Sequence, residues 1–216
     1  MWKNIALVFP LGFPVAACAQ GFGSAFNFSR VQTSFNINGH SYETHFTEAG
    51  VELGHYWYHH FLDVSLRGGY LGVTQDGNPV LTGLDLGGYY AGLGATAFFP
   101  VQKDFGFTVG LGETYHRVSD SVTTEQYRLR WFDFASRAGA WYRLGVARFS
   151  AGIYYRHFSG SELLSGTTNE TENIYGTTRS GLYGGISFYT SSHGRVAAFV
   201  DTGAYQAILL SFRYGF

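Results

Sequence analysis

Along most of the chain, apolar residues occupy alternate positions and polar or small residues hold the other parity. The C-terminus shows this most plainly. Ile208, Leu210, Phe212, Tyr214 and Phe216 share one parity, against Ser211, Arg213 and Gly215, with only Leu209 out of place. A period of 2 is that of a strand with one apolar face. Following the apolar parity predicts ten strands, over residues 22–36, 46–58, 61–74, 83–98, 105–117, 128–142, 146–158, 180–190, 195–201 and the stretch after Asp201-Thr202-Gly203. If the short 195–201 strand and a neighbour are loop, the count falls to eight. The parity slips near Arg30, which predicts a bulge there, and Gly87-Gly88 predicts another.

The segments between strands alternate in length. Short turns are expected at His59-His60, Pro100–Asp104, around residue 145 and at Ser191–Gly194. Longer polar segments separate the other pairs, including Val118–Gln126 and Ser159–Thr178. The latter contains Glu162, Glu170 and Glu172 among many Ser, Thr, Gly and Asn residues and reads as an exposed, mobile loop. An even strand count puts both termini at the end with the short turns, the periplasmic end of a bacterial membrane barrel.

Composition changes the picture in one respect. Aromatic residues make up 19% of the chain and charged residues only 13%, and there are 30 Gly but 4 Pro. That charge content is about half of what soluble domains carry. The net charge of -1 gives no basic surface for a nucleic acid. At the N-terminus, Lys3 precedes an uncharged apolar run from Ile5 to Ala17, and Ala17-Cys18-Ala19 offers a small-x-small cleavage site. Residues 1–19 therefore read as a secretory signal, too short to span a membrane, with Gln20 first in the mature barrel of residues 20–216. Val15-Ala16-Ala17-Cys18 also matches a lipoprotein cleavage box, which would make Cys18 a lipidated first residue. The complete small-x-small pattern favours ordinary cleavage, which removes the single cysteine.

The aromatic C-terminal strand ending on Phe216 resembles the assembly signal of bacterial outer-membrane β-barrels. The whole mature pattern resembles the small barrels of the OmpX, OmpW and opacity-like class. That resemblance implies an all-β, transmembrane, antiparallel up-and-down barrel in the outer membrane of a Gram-negative bacterium. It implies as partners outer-membrane lipid, lipopolysaccharide and the barrel assembly machinery. A soluble lipocalin-type barrel is the competitor, and it would turn the apolar parity inward. Parity alone does not say which face is in. The terminal Phe, the low charge and the signal decide for the membrane barrel.

With the apolar parity outward, the inward set holds Glu48, Glu52, Asp63, Asp85 and Asp133 alongside Arg67, Arg137, Arg148, Arg156 and Arg213. Ten strands leave little more interior than side chains fill, so these charges are expected to pair and close the lumen rather than line a channel. Arg67, Arg137, Arg148 and Arg213 are the arginines expected to pair with the acids. His55, His59 and His60 cluster at one turn, but no third ligand type completes a metal site there, and no cofactor is expected.

One stretch could carry catalysis. His157-Phe158-Ser159 puts His157 and Ser159 on the outward parity, and this His-x-Ser resembles the motif of the outer-membrane lipid A deacylase PagL. The resemblance implies Ser159 as nucleophile, His157 as base and Glu172 as the orienting acid. The chain departs from that family in having Gly160 where the family has Asn, and in continuing with a further hairpin. A non-enzymatic barrel with a structural or surface-contact role is therefore the expected function. A PagL-type esterase and a narrow channel are the alternatives.

Overall fold

The structure is a computed structural model that describes residues 21–57, 61–78, 86–122, 125–165 and 170–215. Residues 1–20, Tyr58, His59, His60, Asp85 and Phe216 lie outside the described residues, and with them the signal, two of the clustered histidines and the terminal ring. No helix among the described residues is long and apolar enough to cross a membrane, which says nothing of strands.

Ten strands form among the described residues: β1 (Phe22–Ile37), β2 (His40–Trp57), β3 (Leu62–Asp76), β4 (Leu86–Gln102), β5 (Phe105–Val122), β6 (Glu125–Leu144), β7 (Ala147–Ser165), β8 (Glu170–Tyr189), β9 (Gly194–Gly203) and β10 (Gln206–Gly215). Each pairs antiparallel with its sequence neighbours, and β10 closes against β1. The barrel has the expected strand number, and closure leaves it without a free edge.

The strands are longer than the alternation suggested. β5 and β6 run through most of the predicted Val118–Gln126 loop, and β7 and β8 through most of Ser159–Thr178. Both segments are strand because their inward positions are apolar: Val118, Tyr127, Leu129, Phe158 and Ile174 are all buried. Serines that read as loop, among them Ser119, Ser159 and Ser161, occupy the outward face between them, whereas Glu162 and Glu172 face inward. At the tip of β1–β2, Asn38 and Gly39 both have positive φ, 51° and 81°, as a two-residue hairpin turn requires.

The parity slip at Arg30 is not a bulge. β1 keeps unbroken register with β2 from Phe22 to Ile37, and with β10 from Gly23 to Gln32. Gly87 and Gly88 likewise sit in continuous ladders with β3 and β5. Among the described pairings, register shifts occur instead between Pro100 and Gln102 and between Phe158 and Gly160.

What changes at Arg30 is which face is apolar. Phe26 and Phe28 point outward and are exposed, whereas Val31, Phe35 and Ile37 point inward and are buried. The same inversion crosses the other long strands: Leu66 and Tyr70 are exposed on β3 but Leu71 and Val73 are buried, and Phe132 and Phe134 are exposed on β6 but Leu129 and Tyr127 are buried. The half near the termini therefore has an apolar outer wall, and the far half has an apolar interior. β9 and β10 have 10 residues each and belong to the first half. Beyond their hairpin β1 pairs directly with β8, through Asn36 with Tyr175 and Ile37 with Ile174. The wall thus narrows at the far end.

Candidate functional site: the lumen and its walls

In the half near the termini, the inward face carries the ionisable residues among small ones, with Phe98, Trp141, Phe199 and Leu209 as larger apolar exceptions. It encloses a cavity of about 340 Å³ lined by Glu48, Glu52, Asp63, Arg67, Asp133, Arg137, Arg156, Asp201 and Arg213, among others. Arg213 on β10 meets Asp63 on β3 with two hydrogen bonds of 2.7 and 3.2 Å. Arg137 on β6 reaches Asp201 on β9 at 2.5 Å. Arg156 on β7 pairs with Asp133 on β6 and lies 4.1 Å from the Tyr205 ring centroid. These pairs tie neighbouring and distant strands together inside the barrel. Each partner removed would strand a desolvated charge.

Two expected pairings are corrected. Arg67 donates to the Thr114 hydroxyl instead of forming an ion pair. Arg148 stacks on the Trp141 ring at 4.4 Å and the Phe98 ring at 5.3 Å. Both rings are close enough to hold the guanidinium without a carboxylate. Of the acids they were expected to meet, Glu52 accepts from Asn27 at 3.3 Å, and Glu48 from Ser29 at 3.0 Å. The other Glu48 oxygen is 2.9 Å from His116 Nε2. Asp201 and Tyr205 were missed because the sequence pattern reads Asp201-Thr202-Gly203 as a turn. Asp201 is in fact the last inward acid of β9, and Tyr205 folds inward from the hairpin end, accepting from the Tyr154 hydroxyl through its carbonyl at 2.7 Å.

The far half of the lumen is filled. Phe35, Phe46, Leu71, Leu129, Trp131 and Phe158 are buried within one cluster. Trp131 lies at its centre, stacked on His116 at 4.6 Å and meeting Phe35 edge-on at 5.4 Å and Phe46 at 5.9 Å. Phe158 in turn stacks on Tyr205 at 5.9 Å. Among the described residues these side chains occupy the centre of the far half of the barrel.

Past this plug, Glu162 on β7 is buried and stands opposite Glu172 on β8. Burial pushes the Glu162 carboxyl above the usual carboxylate range, and the like charge of Glu172 adds to this; Tyr127 and Asn78 beside it act the other way. A folded-state pKa above the unfolded one stabilises the fold at low pH, and that contribution is lost as pH rises through the raised value. Glu162→Gln is therefore expected to match the wild type near pH 4 and to be the more stable protein at pH 8. Urea denaturation at the two pH values checks this, and a Gln variant no more stable at pH 8 would refute it.

Ser159, His157 and Glu172 are not brought together. Ser159 is opposite Phe132 and His157 opposite Phe134, both exposed, so both polar residues are on the outer wall. Glu172 is in register with inward-facing Glu162 and accepts from Asn38 at 2.9 Å. Gly160 has a packing reason: a Cβ there would meet Trp131 Cβ at 2.6 Å and its Cα at 2.7 Å, so the plug excludes an Asn. His55 packs on Phe22, with ring centroids 4.5 Å apart. A different cluster could offer a cation three ligand atoms within 4.8 Å: Glu43, His45 and Asp76 on the outer wall. Register produces it, since Glu43 stands opposite Asp76, and no motif along the chain would have signalled it.

No family model matches this sequence, and no curated protein matches it. Solved structures do. The transport unit of the autotransporter AIDA-I from Escherichia coli is similar with a TM-score of 0.54 at 11% identity, over 94% of this chain and 93% of that one. The outer membrane protease OmpT from Escherichia coli is similar with a TM-score of 0.53 at 8% identity, over 92% of this chain and 98% of that one. At such identity the likeness is one of fold. That fold, together with the outward band of Phe, Leu, Val and Tyr side chains, makes the chain an outer-membrane β-barrel with lipid against its wall.

Proposed function

We propose that the protein is a non-enzymatic, non-conducting barrel that stands in the outer membrane and presents a rigid β-walled extension at the cell surface, in an envelope-structural or surface-contact role. In this reading residues 1–19 direct export and are removed, residues 20–216 are inserted by the barrel assembly machinery, and the termini face the periplasm. The far half is then extracellular. β7 has 19 residues, whereas a tilted membrane strand needs about 9–11. The surplus, at ~3.3 Å per residue and tilted, raises the wall on the order of 20 Å above the bilayer.

The observation that carries this reading is the aromatic plug around Trp131. It speaks against a channel, as the separation of Glu172 from Ser159 and His157 speaks against an esterase. Two assays test it. Purified protein in a planar bilayer is expected to give no stable open channel. Incubation with lipid A is expected to release no acyl chain. Steady ion conductance, or fatty-acid release that Ser159→Ala abolishes, would overturn the reading.

A further inference from the structure

Between β5 and β7 the outer wall carries unbalanced positive charge immediately beyond its aromatic band. Arg117 on β5 and Arg130 on β6 are direct register partners. Both point outward, because their neighbours His116, Val118, Leu129 and Trp131 are buried. Arg128 is the next outward position on β6, opposite Ser119. Like charges directly opposite on one sheet face destabilise it, so a sheet that keeps them gains something elsewhere. No carboxylate among the described residues forms an ion pair with any of the three arginines. The outward residues around the patch include Tyr89 directly opposite Arg117 on β4, with Ser119, Ser121, Ser159, Ser161 and Leu163. Glu113, the outward acid on β5, is four positions away toward the termini, across from Phe134.

Position decides what anion fits. Arg117 and Tyr115 are successive outward residues of β5, and Arg130 and Phe132 are successive outward residues of β6. The Tyr115 and Phe132 rings are in contact, with centroids 5.1 Å apart. Two residues of strand put each arginine roughly 7 Å beyond its ring. Aromatic rings of a membrane barrel mark the level where hydrocarbon meets headgroups. A molecule with acyl chains against Phe132 and Phe134 would therefore hold its headgroup against Arg117 and Arg130. Ser161 accepts from Nε of Arg130 at 2.8 Å, which fixes the guanidinium plane and leaves its other N–H groups for a ligand. Paired guanidinium groups suit phosphate, which they can grip in a bidentate manner.

We propose that Arg117, Arg128 and Arg130 form a binding site for the phosphate groups of the phosphorylated glycolipid of the outer leaflet, a site that rests on the reading of this end as extracellular. The bound headgroup supplies the negative charge that the wall itself lacks, and it fixes the depth of the barrel in the leaflet.

The test uses the full mature protein in nanodiscs, with bound lipid read by native mass spectrometry. The probes are bisphosphorylated lipid A, the same lipid with its phosphates removed, and soluble inorganic pyrophosphate. The variants are the double substitution Arg117→Gln with Arg130→Gln, and Arg30→Gln as an outward arginine elsewhere on the wall. Each variant is first shown to be folded by its heat-modifiable migration. The wild type and Arg30→Gln are expected to retain bisphosphorylated lipid A at least tenfold better than the double variant. The wild type is expected to retain the dephosphorylated lipid at least tenfold less well than the bisphosphorylated one. That second comparison needs no mutant to fold. Equal retention by the wild type and the double variant, or of the two lipids by the wild type, would overturn the site. Pyrophosphate binding as strong as lipid A binding would overturn the lipid as its occupant. Because bilayer conductance is measured separately, loss of this site leaves the closed-barrel reading standing, and the reverse also holds.

Discussion

Replacing Arg156 with Met is expected to destabilise the folded barrel by about 3–5 kcal/mol, the range for breaking a buried ion pair from one side. Arg156 is paired with Asp133, which is only 3% exposed, and is held from the other side by the Tyr205 ring. Without the guanidinium, Asp133 must either stay charged in a low-dielectric interior or take up a proton. Asp133→Asn alone strands the arginine in the same way. The double variant Arg156→Met with Asp133→Asn removes both charges and should recover much of the loss, because the penalty belongs to the unpaired partner and not to the missing attraction. Arg137→Met should cost a comparable amount, since the partner it strands, Asp201, is as buried as Asp133 although Arg137 itself is 29% exposed. The check is urea unfolding of the refolded protein in phospholipid, read by the shift in gel migration between folded and unfolded forms. An Arg156→Met cost no larger than that of Arg30→Met, on the outer wall, would mean that the lumenal pairs do not hold the barrel together.

Much of the fold could be read from parity. Ten strands, the outward apolar set near the termini and the inward ionisable set all follow from a period of 2. Arg213 opposite Asp63 joins the last strand to the third, as the inward set allows. Parity does not report its own sign, and that is where the reading failed. Outside the bilayer the solvent is water, so the same alternation serves a wall whose apolar face is inside. The membrane barrel and the lipocalin-like barrel are alternatives at the level of sequence pattern, yet one chain contains both arrangements in succession along its strands. The slip at Arg30 is the seam between them. Val31, Thr33 and Phe35 continue the inward parity of Ser29 without a break in the ladder. Ser159–Thr178 departs from its sequence reading for the same reason: Ser159, Ser161 and Thr171 face outward from strands whose inner face is Phe158, Glu162 and Ile174. The candidate sites were less legible than the fold. The juxtaposition of Arg117 with Arg130 and of Glu43 with Asp76 depends on strand register. Register comes from the whole closed sheet and not from local spacing.

Trp131→Ala is expected to remove about 3–5 kcal/mol of stability and to open a leak through the barrel that we propose is closed. The side chain is fully buried and touches rings from β1, β2 and β5, so deleting it empties the centre of the plug rather than an edge. The neighbours have little freedom to fill the space. Gly160 across from Trp131 offers no side chain to swing inward, and His116 is held by Glu48 at 2.9 Å. Loss of the indole would extend the polar cavity toward the far end, with Phe35, Phe46 and Phe158 as the remaining barrier. Short-lived, low-conductance openings in a planar bilayer are therefore expected from Trp131→Ala, and more from Trp131→Ala combined with Phe35→Ala. Trp131→Phe separates volume from chemistry. The indole nitrogen has no hydrogen-bond partner among the described residues, so a phenyl ring forfeits packing volume and no polar contact. It should stay closed and lose far less stability than the alanine variant. An alanine variant as stable and as silent as the wild type would show that the plug neither seals nor supports the barrel, and the filled lumen would then carry no argument about what this protein does.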